Sequence, residues 1–302
     1  MPMMTAYHKP VMCSEAIAGL AIRPNGVYLD VTFGGGGHSR AILAKLNEDG
    51  RLLAFDQDAD AAQNQIEDPR FTLIQANFSH LKRFLKFYQI EQVDGVLADF
   101  GVSSYQFDTA DRGFSTRMEG PLDMRMNTSQ PLDAATVVNT YDVKALQKIF
   151  RLYGELTNAK AIADALYVAR QQQPLVTTTD LVGVLQPFFP GHILNKRVAQ
   201  VFQALRIEVN QELEVLVSFL AQSTEILKPH GRLVCIAYHS LEDRLVKRYV
   251  RDGCFEGESA TDLYGRKKVP FKAVGKLIVP SSKEIHLNNR ARSAKLRIAE
   301  RL

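Results

Sequence analysis

A run of four glycines at residues 34–37 constrains this chain more than any other feature. It lies within the stretch LDVTFGGGGHSRAIL, after an apolar segment and before a helical pattern. A glycine-rich turn between a first strand and a helix lets the backbone approach a bound nucleoside, and it lets the chain adopt positive φ without strain. We predict a helix at 39–46 with Ser39 as its N-cap. The stretch favours a nucleotide-binding α/β unit, although many such turns are only tight turns.

Strand and helix patterns alternate over the first hundred residues. The predicted strands are 26–33, 51–56, 71–75 and 93–102, and the helical patterns between them are 39–46, 59–66 and 80–90. Strands separated by helices indicate a parallel sheet with helices on both faces.

The alternation stops near residue 108. A loop rich in glycine, proline and charge continues to 127, and only helical patterns follow, through a long helix that we expect to end at Pro229 and Gly231. A strand at 232–240, a helix at 241–252 and a last strand at 294–300 close the pattern. The fold class is therefore α/β, a doubly wound, mostly parallel sheet with an inserted all-helical domain. We place the two parts at 1–108 with 209–302 and at 109–208.

Composition narrows the class of protein. The chain has 302 residues, a net charge of +4 and three scattered cysteines without CxxC spacing. This cysteine pattern indicates a reducing compartment, with neither a disulfide framework nor a zinc site, and we predict no metal. No apolar run reaches transmembrane length, and the N-terminus lacks a signal-peptide core. We expect a cytoplasmic protein that does not bind membranes.

The acids and aromatics that follow the strands suggest a cofactor. Asp56 ends the second strand, twenty residues after Gly36, and an acid at this position can accept hydrogen bonds from ribose hydroxyls. Phe78 and Asp99 follow the third and fourth strands at the same edge. Phe78 fits either an adenine face or the core, and Asp99 needs a polar partner if it is buried.

The glycine spacing bears on which cofactor binds. Counted from Gly34, the third glycine of a G-x-G-x-x-G fingerprint would stand at residue 39, which is Ser39. His38 also crowds the helix N-terminus, where a pyrophosphate would lie. S-adenosylmethionine has no phosphate, so the pattern favours a methyltransferase over a dehydrogenase without deciding between them.

Longer motifs carry a resemblance to a known family. TFGGGGHS, FDQD, ANFS, DFGVSSYQFD, GPLDMRM, FQALRIEVNQEL, YHSLEDR and RARSAKLR occur in order along nearly the whole chain. The chain closely resembles the RsmH (MraW) family, bacterial S-adenosylmethionine-dependent methyltransferases acting on N4 of a cytidine in the decoding region of 16S rRNA. The resemblance implies a class I, Rossmann-like methyltransferase domain interrupted by a helical domain. It also implies S-adenosylmethionine as cofactor, and 16S rRNA within the small ribosomal subunit as partner.

Site residues follow from the same resemblance. The implied cofactor contacts are Gly36, Gly37, His38, Asp56, Phe78, Asp99 and Gln106. The chain departs from the family at Gly35, where arginine is common, and at Tyr105, where proline is common. Asp99 is our candidate catalytic residue, as acceptor for the hydrogens of the cytidine amine.

Two regions are candidates for binding the substrate. His239 and Ser240 follow a strand and are predicted to line the substrate pocket, although Ser240 also reads as an N-cap. The tail 263–302 holds eleven Lys and Arg against two Glu, and we predict RNA contacts from Arg290, Arg292 and Lys295. A solvated basic tail is the plainer alternative.

Several alternatives stay open from the sequence. A NAD(P)-linked oxidoreductase fits the glycines and Asp56, a small-molecule methyltransferase fits the cofactor site, and a non-catalytic RNA-binding protein fits the tail. Asp123 and Arg125 are an ion pair that holds a loop, or else an RNA contact. The oligomeric state is open, with a homodimer as one possibility, as is the role of the helical insertion.

Overall fold

The structure is a computed structural model that describes residues 10–265 and 267–302. The chain divides into two compact units. One ends at Gly101 and resumes at Leu213, and the other covers Val102–Glu212. That the second unit is an independent domain, with our boundaries of 109 and 208, stays a prediction.

Seven strands form one sheet in the described part of the first unit. They are β1 Val27–Asp30, β2 Arg51–Asp56, β3 Phe71–Gln75, β4 Val93–Asp99, β5 Leu227–Ala237, β6 Phe271–Ala273 and β7 Lys295–Arg301. Their order is β3-β2-β1-β4-β5-β7-β6. Strands β1 to β5 pair in parallel, and β7 is antiparallel to both β5 and β6. The predicted doubly wound, mostly parallel sheet is confirmed.

Helices cover both faces of this sheet. The helices of the first unit are α1 Cys13–Leu20, α2 Gly37–Leu43, α3 Leu81–Phe87, α10 Glu212–Ile226 (which begins one residue earlier, in the second unit), α11 Ser240–Asp252 and α12 Ser282–Leu287. In β1, Leu29 packs into one apolar core and Tyr28 into another. Because successive strand residues point to opposite faces, both faces of the central strand are buried.

The second unit is helical and has its own core. Its helices are α4 Ser104–Asp108, α5 Ala134–Thr140, α6 Val143–Leu152, α7 Ala159–Gln172, α8 Thr178–Leu185 and α9 Gly191–Asn210. Phe150, Leu166 and Leu205 are fully buried in that core. Apolar residues repeating at helical spacing along the sequence predict this all-helical part. No helix in the described part of the chain is long and apolar enough to cross a bilayer.

Local details of the sequence prediction needed correction. The segment predicted as a helix at 59–66 forms a 3-10 helix at Ala59–Asn64. The predicted long helix is two helices, α9 and α10, separated by Gln211 in the left-handed conformation. Helix α10 ends at Ile226, before Pro229 and Gly231, which both lie within β5. The pairing of β4 with β5 shifts register between Val93 and Gly95, opposite this segment. Proline is tolerated at such an irregularity because no ladder hydrogen bond is required there.

Both predicted N-caps were wrong. The N-cap of α2 is Gly36, in the left-handed conformation, and Ser39 is buried inside the helix. The N-cap of α11 is His239, with Ser240 as its first helical residue. At α11 the His239 side chain accepts the Glu242 N–H of the first turn, so Ser240 is not needed as a cap. At α2 the cap position is taken by Gly36, which makes no side-chain cap hydrogen bond.

Candidate active site

The carboxyl ends of the parallel strands bring three acids to one edge of the sheet. Asp30 ends β1, Asp56 ends β2 and Asp99 ends β4. The strand order reverses between the adjacent strands β1 and β4. Ligands of open α/β sheets bind outside the carboxyl ends of the strands at such a reversal. We call this region, with the glycine turn that follows β1, the carboxyl edge.

The glycine turn requires the absence of side chains at particular positions. Gly36 has φ 72°, and a Cβ there would lie 2.6 Å from Arg40 Nη1 and 2.8 Å from the Phe33 ring. A Cβ on Gly37 would lie 2.9 Å from the Pro10 ring. Gly35, in contrast, has no neighbour within 4 Å of an added Cβ. The turn therefore presents bare backbone at Gly35 while Gly36 and Gly37 pack closely.

Asp56 links the turn to β2. Its Oδ2 accepts the Gly34 N–H at 2.7 Å and its Oδ1 accepts the Asp58 N–H at 2.9 Å. Burial raises the pKa of Asp56 to about 6, against the lowering effect of these hydrogen bonds. A carboxylate oxygen has two acceptor positions, so each retains capacity for a ligand hydroxyl. The geometry suits the ribose-binding role implied by the resemblance.

Asp99 lies at the centre of the carboxyl edge. Its Oδ1 accepts the Tyr238 hydroxyl at 2.8 Å, and its backbone N–H donates to Thr32 Oγ1 at 2.7 Å. Burial raises the pKa of Asp99 to about 6, and burial followed by the Asp99 charge raises the pKa of Tyr238 well above its ordinary value. Tyr238 thus stays a hydrogen-bond donor, and the Asp99 side chain is still 20% exposed to an incoming ligand.

His38 faces Asp99 from the first turn of α2. Its Nε2 lies 3.1 Å from the Val11 carbonyl oxygen, and its Nδ1 lies 3.7 Å from Asp99 Oδ2. Because a carbonyl only accepts hydrogen bonds, Nε2 carries the proton in the neutral ring. The sequence predicted contact between His38 and the cofactor, and the structure directs its ring towards the Asp99 carboxylate.

Asp30 was missed by the sequence analysis. It is fully buried, accepts the Ser39 hydroxyl at 2.7 Å and the Thr32 N–H at 3.2 Å, and burial raises its pKa to about 6. The sequence predicts a first strand that runs to Phe33, which places Asp30 inside it, whereas β1 ends at Asp30. Tyr238 and Thr32 were also missed, since no pattern distinguishes them.

Phe78 is partly incorporated in the core. Its ring lies edge-on to Phe219 at 5.4 Å between centroids and tilted against Phe100 at 6.4 Å. The structure thus supports a packing role, which was the plainer alternative, and the residue is not fully buried. Its contact with adenine stays a prediction.

Gln106 belongs to the second unit. It is buried, and its Oε1 accepts the Ser103 N–H at 3.0 Å while its own N–H donates to Ser103 Oγ at 3.2 Å. This capping box begins α4. A cofactor contact from Gln106 stays a prediction.

His239 and Glu242 form the start of α11. The Glu242 Oε2 accepts the Tyr238 N–H at 2.8 Å, and the His239 side chain accepts the Glu242 N–H. His239 Nε2 is buried 3.1 Å from Glu242 Oε1, without the alignment of a hydrogen bond. These contacts fix the helix start beside Tyr238, and the substrate contacts of His239 and Ser240 stay predictions.

The basic tail is only partly available for a polyanion. Lys295 and Arg297 both reach Asp243 on α11, at 3.5 and 2.7 Å. Burial would raise the pKa of Asp243, but the hydrogen bond and charge of Arg297 lower it overall. Lys295 is therefore partly neutralised. Arg290 and Arg292 are exposed in a 3-10 helix, Asn289–Ser293, and Arg266 lies outside the described residues.

Asp123 and Arg125, in a loop of the second unit, form an ion pair. Arg125 Nη2 lies 2.6 Å from Asp123 Oδ2, its Nε donates to Asp123 Oδ1 at 2.9 Å, and its Nη1 donates to the Gln130 carbonyl at 2.8 Å. The bidentate geometry supports the structural alternative over an RNA contact.

The sheet order, the glycine turn and the acid at the end of β2 define a class I, Rossmann-like methyltransferase fold. The chain belongs to the MraW methylase family, whose model matches residues 5–302. It is 56% identical over 302 residues to ribosomal RNA small subunit methyltransferase H of Christiangramia forsetii, covering 100% of both chains. It is 53% identical over 296 residues to the protein of that name from Bacteroides thetaiotaomicron, covering 98% of this chain and 97% of the other. The predicted family is confirmed.

Proposed function

We propose that this protein transfers a methyl group from S-adenosylmethionine to the exocyclic N4 of a cytidine in the decoding region of bacterial 16S rRNA, within the small ribosomal subunit in the cytoplasm. Family membership and the names of the relatives support an rRNA methyltransferase. The cytidine position comes from the resemblance in the motifs.

The observation that carries the proposal is the position of three acids, which end the neighbouring strands β1, β2 and β4 and so meet at the carboxyl edge. Asp30, Asp56 and Asp99 all have a pKa raised to about 6 by burial. A nearby cation would favour their ionised forms, and S-adenosylmethionine carries a sulfonium and an ammonium group. The anionic pyrophosphate of NAD(P) would be repelled by the same groups, so the edge disfavours the oxidoreductase alternative.

The residues of the carboxyl edge fit this cofactor. The bare backbone at Gly35 accommodates a close approach, Asp56 retains acceptor positions for the ribose hydroxyls, and Phe78, which is not fully buried, follows β3 at the same edge. The cofactor supplies a methyl group already activated by its positive sulfur.

The protein's part in the reaction is to position and deprotonate the nucleophile. The lone pair of the cytidine amine is conjugated with the ring and must turn out of its plane before it attacks. Asp99 Oδ2 accepts a hydrogen of this amine and then takes the proton that nitrogen loses as its bond to carbon forms. The Tyr238 hydroxyl holds Oδ1, and His38 Nδ1, 3.7 Å from Oδ2, is the next basic atom for that proton.

Analysis of the reaction product would test the substrate assignment. Undermodified small subunits and, separately, naked 16S rRNA would be incubated with methyl-labelled S-adenosylmethionine, and the labelled nucleoside identified after digestion. We expect an N4-methylated cytidine. Label in another nucleoside would overturn the N4 assignment. Binding of the cofactor without transfer to either RNA would overturn the rRNA substrate and favour a small molecule.

A further inference from the structure

A groove on the first unit lies outside the carboxyl edge. It runs between the second half of α11, the edge strand β6 and the residues that follow β6, and its volume is about 380 Å³. Its apolar lining includes Val250 and Phe271, which are buried, and Val269 and Leu277, which are more exposed. We call it the basic groove because of the charges described next.

The polar lining of the basic groove is cationic. Lys247, Arg251, Lys276 and Arg297 line it, and no carboxylate does. Arg251 pairs with Asp252, and Arg297 with Asp243. Lys247 and Lys276 are exposed and pair with no acid in the described part of the chain. Two uncompensated ammonium groups therefore face the same open space.

The topology connects this groove to the carboxyl edge through β5, which pairs with β4 and leads into α11. Helix α11 begins at Ser240, just after β5, and Lys247 lies seven residues further, about 10 Å along the helix axis. The segment after β6 returns towards the same edge, since the Val274 N–H bonds to Ile298 O and the Ile278 N–H bonds to Leu296 O. A chain whose reacting nucleotide lies near Asp99 can thus continue along α11 into the groove.

We infer that the basic groove binds the phosphodiester backbone of the substrate RNA next to the methylated nucleotide, with Lys247 and Lys276 contacting phosphates. The inference rests on the proposed function, because it takes RNA as the substrate. Charge complementarity supports it: cations without lining acids suit a polyanion. The apolar lining suits ribose carbons between the phosphates.

The double variant Lys247→Ala/Lys276→Ala tests the inference in the full-length protein. The control is Lys45→Ala/Lys86→Ala, which removes the same charge from exposed lysines outside the groove. Binding of 16S rRNA would be measured over a range of salt concentrations, and KM and kcat with undermodified small subunits. Thermal unfolding and S-adenosylmethionine affinity would establish that both variants are folded.

For the groove variant we expect the slope of log K against log salt to fall in magnitude by about 1.4 to 1.8, since each lost phosphate contact contributes about 0.7 to 0.9. With affinity at 1 M salt unchanged, the same slope predicts about 14 to 30 fold weaker RNA binding near 0.15 M salt. KM should rise similarly with kcat and cofactor affinity unchanged, while the control keeps wild-type values.

If the groove variant kept the wild-type salt slope and KM while the wild-type protein methylated rRNA, the assignment of RNA binding to the basic groove would be wrong. The proposed function would not be affected. If the wild-type protein transferred no methyl group to rRNA, the proposed function would fail instead. A groove variant that lost cofactor affinity together with RNA affinity would also count against the inference, because a backbone contact should not affect the cofactor.

Discussion

Aspartates occur both at the carboxyl edge and in the helical second unit, but burial raises the pKa of those at the edge, whereas those in the second unit are held by hydrogen bonds and an ion pair. In the second unit, Asp133 and Asp142 each accept a backbone N–H at a helix start, and Asp123 holds Arg125. Asp180 completes the capping box of α8, where burial would raise its pKa but hydrogen bonds from Thr177 and Val176 lower it overall. These acids stabilise the unit without any ligand.

The acids of the carboxyl edge oppose folding at neutral pH. Because Asp30, Asp56 and Asp99 have folded-state pKa values near 6, above their ordinary value, their favourable contribution to stability is present at low pH. It is lost as pH rises from about 4 through 6, since the folded protein must then hold desolvated carboxylates. Groups that cost stability in the unliganded fold indicate a site shaped by binding. We therefore expect the acids of the second unit to act in stability and those of the carboxyl edge to act in binding.

The largest difference between the two regions should follow replacement of one acid in each. We expect Asp99→Asn to lower the single-turnover rate of methyl transfer by about 10² to 10⁴ fold, the usual effect of losing a general base. Asp142→Asn retains an N-cap and should leave the rate unchanged. Near wild-type transfer by Asp99→Asn, with the cofactor bound, would exclude Asp99 as the proton acceptor.

Replacing Asp56 should weaken the binding of the cofactor and leave the rate of methyl transfer from the bound cofactor largely unchanged. Hydrogen bonds to a charged group contribute about 1.5–3 kcal/mol, so Asp56→Ala should raise the Kd of S-adenosylmethionine by about 10 to 100 fold. Asp68→Ala, which removes an acid paired with Arg70 elsewhere on the same unit, is the control. Equal affinities by calorimetry for Asp56→Ala and wild type would remove the ribose assignment.

The glycine turn offers a matched pair of alanine substitutions. Gly36→Ala forces a side chain into positive φ and against Arg40 and Phe33, and should destabilise the protein by about 1–3 kcal/mol. Gly35→Ala meets no atom within 4 Å and should be nearly neutral. Denaturant unfolding of both variants measures the difference in the free energy of unfolding. Equal losses of stability would contradict the positive φ and close packing at Gly36.

The smallest effect is expected in the second unit. Thr177→Ala removes the N-cap of α8 and should cost about 1 kcal/mol of stability without changing cofactor affinity. Thr177→Ser retains the hydroxyl and should unfold like the wild type. A loss of cofactor affinity in Thr177→Ala would contradict the separation of structural from functional positions.

How far the sequence predicts this molecule depends on whether a feature is local. The parallel strands β2 and β3 were predicted at their observed bounds because turn residues delimit short apolar runs. Asp56 and Asp99 were predicted as site residues because the end of an apolar strand can be located in the sequence. The Tyr238 hydroxyl on Asp99 joins residues 139 positions apart, and no local pattern encodes that contact. The caps at Gly36 and His239 likewise depend on φ angles and neighbours that composition does not reveal.

The most direct test of the central claim compares S-adenosylmethionine with S-adenosylhomocysteine, which lacks the positive sulfur, by calorimetry between pH 5 and 8. Carboxyl groups with pKa values near 6 are largely protonated at the lower limit and ionised at the upper one. We predict that affinity for the cationic cofactor, relative to the neutral-sulfur product, rises up to about tenfold as pH increases through 6. A ratio of affinities that stays constant across this range would contradict the view that the buried acids form a site for a cationic cofactor.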